Sequence, residues 1–279
     1  MPRIDTHQHL LYRDRFRYEW TAGLPALASA AFTLAEYRAA AASCDITGTI
    51  FMEVDVPEAQ AGDEARFFCA LAEDPYSGVL GVVASGRPEH ADFPRHLDAI
   101  RHPRLKGIRR ILHAAPDAVS EDVLFRRQVA ALASAGLTFD VCVLARQLPL
   151  AIALADAAPA TQLILDHCGV PDIAGGGLDP WRTNLRELAR RPNVACKISG
   201  LVAYAKAGEV TAAALRPYVE HAVACFGWDR LVWGGDWPVC NLTSSLGAWV
   251  KLLDEILAAE PAAHRAKLFH DNARRLYRL

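Results

Sequence analysis

No charge of one sign accumulates in this chain: acids and bases are interspersed, and the formal net charge of its 279 residues is −2. That excludes the basic footprint of a nucleic-acid-binding protein. No apolar run is long enough to span a bilayer, and Met1-Pro2-Arg3-Ile4-Asp5 leads into a strand-like segment without an apolar signal core. A cytoplasmic, membrane-free protein is expected. The C-x-x-C pair is also missing. The seven cysteines are odd in number and mostly sit in apolar runs, as Cys142, Cys196 and Cys225 do, so they read as reduced core residues rather than a disulfide framework. Low-complexity segments, repeats and linkers are absent, and the sixteen prolines and eighteen glycines are scattered. No glycine-rich turn follows the first strand, where a doubly wound dinucleotide-binding sheet would place one.

What the chain does contain is an alternation. Eight short apolar runs read as strands: Arg3–Asp5, Ile46–Val54, Gly78–Ala84, Leu105–Ile111, Leu137–Val143, Gln162–Asp166, Asn193–Ile198 and Arg230–Gly234. Their cores are near-continuously apolar, as in parallel strands covered on both faces. Helical patterns separate them: Thr33–Cys44, Glu58–Glu73, Phe93–Ile100, Glu121–Ala135, Leu148–Ala158, Pro180–Arg190 and Thr211–Phe226, with Ser244–Ala259 and Ala262–Tyr277 after the last strand. Thr33 and Glu36 form a capping-box pattern, and Asp74-Pro75 ends the second helix. Eight strand–helix units with no break in composition predict one α/β domain over residues 1–279, a (β/α)8 TIM barrel. The stretch 12–31, rich in aromatic and basic residues, is too long for an ordinary βα loop and is expected to form a lid.

Barrel enzymes place their chemistry at the C-terminal strand ends. Strand 1 ends in His7-Gln8-His9, whose two imidazoles point to one side of an extended segment. Strand 2 offers Glu53 in an apolar run, a carboxylate that needs a partner or a metal. Strand 4 offers Arg109 toward the mouth, with Arg110 on the outer side and His113 just beyond. Asp140 ends strand 5, between a structural and a site role. His167 ends strand 6, and Lys197 interrupts an apolar strand 7. Asp236 follows two glycines after strand 8. Imidazoles with a carboxylate suit a divalent ion such as zinc, and Asp236 is placed to take a proton from water. Trp20, Trp237 and Tyr204 offer flat apolar faces. The remaining histidines, among them His90, His96 and His221, fall on helices and loops.

Ile4-Asp5-Thr6-His7-Gln8-His9, Lys106-Gly107-Ile108-Arg109, Asp166-His167, Asn193 through Leu201, Trp233-Gly234-Gly235-Asp236-Trp237-Pro238 and Phe269-His270-Asp271-Asn272-Ala273 occur in this order along the chain. In them the sequence resembles the amidohydrolase superfamily, in its amidohydrolase-2 branch of sugar and dicarboxylate lactonases. It is most similar there to lactonases of aldonolactones such as L-fuconolactone and L-rhamnonolactone. The resemblance implies a distorted barrel that hydrolyses a small sugar lactone, as a monomer or homodimer. It implies Asp236, His167 and His9 as catalytic residues and Arg109, Lys197, Trp20, His113 and Trp237 as substrate contacts. His7, His9, Glu53, His167 and Asp236 are implied as ligands of one divalent metal ion, zinc first. Strands 4 and 5 carry Arg109 and Asp140 where binuclear members carry a lysine and a histidine, which speaks against a second ion. Some branch members act without metal. A dicarboxylate lactonase ranks second, ahead of a related decarboxylase and a non-enzymatic sugar-binding protein.

Overall fold

The computed structural model describes residues 1–28 and 31–279. Eight parallel strands pair strictly in chain order: β1 (Arg3–Gln8), β2 (Ile46–Met52), β3 (Val79–Ser85), β4 (Leu105–Ile111), β5 (Thr138–Cys142), β6 (Leu163–Leu165), β7 (Val194–Ile198) and β8 (Leu231–Trp233). Helices separate successive strands, which makes the fold a (β/α)8 barrel. The seam is irregular. Between β1 and β8 the closing contact lies beyond the end of β8, in a single bridge between Gln8 and Trp237. There the His9 amide donates to the Trp237 carbonyl at 2.8 Å and the Asp236 amide to that of His7 at 2.8 Å. The register slips along β1–β2, and β6 and β8 are only three residues long. The barrel is therefore distorted where the candidate site residues lie.

Four helices begin at a side chain that caps them, Thr33, Asp122, Thr211 and Ser245. Thr33 caps the helix Leu34–Ala41, its hydroxyl accepting from the Ala35 amide while Glu36 reaches back to the Thr33 amide. Asp122 caps Val123–Ala131, so the helix expected from Glu121 starts later, after a separate turn at Ala118–Glu121. The expected run Ala262–Tyr277 is broken by a π-turn at Lys267–Asp271, leaving a C-terminal helix at Asn272–Tyr277. Among the described residues no helix is long and apolar enough to cross a membrane.

Two apolar clusters hold the layers together. The larger lies mainly between the sheet and its helices. The smaller fills the barrel, where Ile4, Ile50, Met52, Val83, Ile164, Ala195 and Val232 meet Ala273, Leu276 and Tyr277 of the C-terminal helix. That helix is the barrel's floor: Lys106, at the start of β4, donates to the Arg278 carbonyl at 3.0 Å.

Candidate active site

The site residues lie within the strands, as Asp5, Arg109, Asp140 and Lys197 do, or just past their ends, as His9, Glu53, His167 and Asp236 do. Asp5 is wholly buried in β1 and accepts from the His7 amide (2.9 Å), the Gly235 amide (2.7 Å) and the Tyr37 hydroxyl (2.8 Å). It ties the end of β1 to the turn after β8. His7 and His9 then share one side, their ring centroids 4.8 Å apart. His9 Nδ1 lies 3.0 Å from the Met52 carbonyl, an oxygen that only accepts, so this nitrogen carries the proton and Nε2 keeps its lone pair.

After β6 the chain leaves extended geometry abruptly. His167 and Cys168 both adopt φ near 53°, in the left-handed region that side chains seldom occupy. The Trp181 indole anchors this turn by donating to the Cys168 carbonyl at 2.7 Å. The His167 ring comes to 4.5 Å from that of His7, and its Nδ1 to 2.9 Å from Ser199 Oγ. Gly200, at φ 67°, has no side chain to run into that ring. Asp236 is also left-handed, at φ 55°, which an aspartate tolerates better than most residues. Its Oδ1 lies 3.7 Å from His7 Nε2 and 3.6 Å from His9 Nε2.

Beneath these groups runs a buried charge network. Lys197 Nζ lies 2.7 Å from Asp140 Oδ1, 2.9 Å from Asp166 Oδ1 and 3.3 Å from His7 Nδ1. Arg109 reaches Asp166 Oδ2 at 2.9 Å, Glu53 Oε1 at 3.1 Å and Cys142 Sγ at 3.1 Å. Arg110 turns outward to Glu89. The oxygens of Asp166 lie off the hydrogen-bonding directions of both cations, so charge rather than hydrogen bonding holds them. Burial alone would raise Asp166, yet Lys197, His7 and Arg109 together hold it well below the usual carboxylate range. Asp140 goes the other way: burial raises it to about 6 against the pull of Lys197. Burial pushes both His7 and His167 down, and with help from Arg109 it takes His113 to about 4. These three rings are neutral at pH 7.

The arrangement suits a divalent cation. Two groups of three donors converge within 4.8 Å: His7, His9 and Asp236, and His7, Asp166 and His167. In the first, His7 Nε2 is buried with no hydrogen-bond partner, and the Nε2 atoms of His7 and His9 face one carboxylate oxygen of Asp236. In the second, the place beside Asp166 is already taken by the Lys197 ammonium. Glu53, expected among the ligands, belongs to neither group; its carboxylate faces Arg109 and accepts from the Asp55 amide at 2.9 Å.

Above the donors opens a cavity of about 360 Å³. His9, His167, Asp236, Arg109, Glu53, Asp55, His113, Trp20 and Tyr204 line it, with an apolar remainder that includes Leu24, Val54, Ile111 and Leu242. The segment before Ser29 forms one wall, where the Trp20 indole donates to the Val54 carbonyl at 2.9 Å. Ser29 and Ala30, within the stretch expected to be a lid, lie outside the described residues. Two expected substrate contacts are not at the cavity. Lys197 is wholly buried in the network below, held there by two carboxylates, and Trp237 packs edge-on against Phe32 and Tyr37. Asp166, Asp5, Ser199 and Cys142 were not singled out from the sequence. A buried aspartate at a strand end was the signal available for the first two.

The chain matches the amidohydrolase family over residues 4–279. It is 34% identical to an L-fucono-1,5-lactonase of Burkholderia multivorans over 298 aligned positions, covering 99% of this chain and 96% of that relative. It is 33% identical to an L-fucono-1,5-lactonase of Burkholderia ambifaria, covering 78% and 76%. A crystal structure of an amidohydrolase from Burkholderia multivorans with bound zinc superposes with a TM-score of 0.90, at 32% identity and full coverage of both chains. With its strand-end histidines, its eight-strand barrel and a match along nearly its whole length, this chain belongs to the amidohydrolase family.

Proposed function

We propose that the protein hydrolyses an uncharged sugar-acid lactone, an aldonolactone of the L-fuconolactone kind, to the free aldonic acid. The observation that carries this reading is the charge balance of the cavity. Its one cationic lining residue among those described, Arg109, is already matched by Glu53 and Asp166, and Asp55 and Asp236 add further negative charge. A dicarboxylate substrate needs partners for its carboxylates besides the ion proposed below at His7, His9 and Asp236, and no unmatched lysine or arginine lines the described cavity, whereas a neutral ring meets aromatic and aliphatic walls. The two similar lactonases support the same reading.

In this reading Asp236 takes the proton of a water molecule as the water oxygen bonds to the lactone carbonyl carbon. His167 faces the developing oxyanion: in the tautomer whose Nδ1 accepts from Ser199, its other nitrogen carries the proton and is a neutral donor. Collapse breaks the ring C–O bond, and the proton held on Asp236 passes to the departing oxygen. Arg109 orients the carbonyl side of the substrate, and Trp20 and Tyr204 flank the ring. One divalent ion, zinc as in the similar crystal structure, would be held by His7, His9 and Asp236, where it supplies Lewis acidity to the carbonyl or the water.

A pH-indicator screen of purified protein against γ- and δ-aldonolactones, a pyrone dicarboxylate and aromatic acids tests the substrate class. Turnover of an aldonolactone is expected. Asp236→Asn, which also tolerates the left-handed backbone, is expected to lower kcat on that lactone about 10³-fold with an unchanged fold. Near-normal turnover by this variant, or a preference for the dicarboxylate, would overturn the proposal.

A further inference from the structure

One buried group of the network arrives from outside the eight strands. Tyr277, in the last turn of the C-terminal helix, extends its hydroxyl from the barrel floor to Asp140 Oδ1 at 2.8 Å. The same oxygen accepts from Lys197 Nζ at 2.7 Å, and that ammonium continues to Asp166 and to His7 Nδ1. Every member of the chain Tyr277–Asp140–Lys197–His7 is at most 1% exposed. We propose that Tyr277 is a positioning residue of the active site, acting from the C-terminal helix through Asp140 and Lys197 on the tautomer and placement of His7.

Lys197 stands between two carboxylates, hydrogen-bonded to Asp140 and held to Asp166 by charge. Asp140 is met by Lys197 from β7 and Tyr277 from the floor. Thr138, on its own strand, is distant at 3.4 Å, and Asp166 of β6 adds a like charge nearby. A buried carboxylate stays ionised only while donors satisfy it. Without the Tyr277 hydroxyl, Asp140 draws its remaining donor harder or takes a proton itself. In either case Lys197 re-centres with respect to Asp166 and His7. The inner nitrogen of His7 is 3.3 Å from Lys197, and its outer one faces Asp236. A change at the floor therefore reaches the reacting side through two side chains.

Tyr277→Phe keeps the ring against Ala273, Leu276 and the strand residues and removes only the oxygen. It is expected to lower kcat about tenfold with KM within twofold, since no cavity wall changes. Asp140→Asn should lower kcat at least as far, and adding Tyr277→Phe to it should lower kcat no further, because both act through one link. The imidazole ¹⁵N spectrum of the protein as purified supplies a readout without substrate. The His7 signals should change tautomer pattern in Tyr277→Phe although Tyr277 does not touch that ring. Unaltered His7 signals, a kcat within twofold of the wild type, or effects of the two substitutions that multiply would each overturn the proposal. Loss of the lactonase reading would appear instead as an inactive wild type, with the spectroscopic test intact.

Discussion

Glu64 is a buried carboxyl group whose surroundings favour its protonated form. It is buried in the helix Glu58–Leu71, and its value is raised well above the ordinary one, by burial first and then by Glu53, with the Val54 amide compensating only in part. The unfolded chain ionises this group near pH 4.5, whereas the folded protein holds its proton to higher pH. Stability is thus full below the unfolded value and is lost as pH rises toward the folded one. Glu64→Gln retains an acceptor for Val54 but cannot ionise. Its melting temperature relative to wild type should therefore climb between about pH 5 and pH 8. A difference that stays constant, or shrinks, across that range would show that Glu64 is ionised in the folded state. Which single residues were legible follows from similar local physics. His7 and His9 stood out because strand alternation puts them on one side, and Arg109 because its neighbour Arg110 takes the other side. Asp166 did not, because alternation assigns Asp166 and His167 to opposite faces. The left-handed turn at His167 and Cys168 cancels that alternation and brings both to the same centre. Lys197 was legible as a buried cation in need of a partner. That its partners lie below the cavity depends on a three-dimensional pairing with Asp140 and Asp166.

At the scale of elements, the strands were legible to within one or two residues, because parallel strands covered on both faces leave unbroken apolar runs, except that β1 runs three residues past the expected Asp5, where its sequence turns polar. Helix ends were legible where a side chain marks them, as at Thr33, and shifted where none does, as in the π-turn that divides the final helix. The 12–31 stretch was legible only as an excess of length. Its described part forms a wall of the cavity through Trp20 and Leu24, and one indole hydrogen bond to Val54 joins it to the end of β2. Asp236 and His167, the groups proposed to react, follow β8 and β6 instead, so the joint at Val54 does not carry them. Trp20→Phe should then weaken substrate binding while leaving chemistry alone. Loss of one neutral hydrogen bond is worth about 0.5–1.5 kcal/mol, or roughly a 2- to 10-fold rise in KM, with kcat within twofold. A fall in kcat at constant KM would instead assign Trp20 to the reacting centre.

The whole molecule carries almost no net charge, yet folding gathers an unequal share of it into the barrel. Glu53, Asp140, Asp166 and Asp236 converge there against two cations, Arg109 and Lys197. Such a surplus is costly to bury unless a further cation shares the space, and the upper donor group of His7, His9 and Asp236 is where one fits. The unfolded chain has no preformed site, so an ion bound there adds its binding energy to folding. At a free zinc concentration of about 100 times Kd the gain is about 2.7 kcal/mol. For a domain of this size that corresponds to a rise in melting temperature of roughly 5–10 °C. The rise should reverse on chelation with EDTA. In His9→Ala it should be largely lost, since that substitution removes a donor whose other nitrogen only braces it against Met52. His270→Ala, which alters an exposed pair with Asp271 at the chain's far end, should keep the full shift. A zinc-dependent rise that survives His9→Ala would place the ion elsewhere. No rise in the wild type would leave the carboxylate surplus balanced by Arg109 and Lys197 alone.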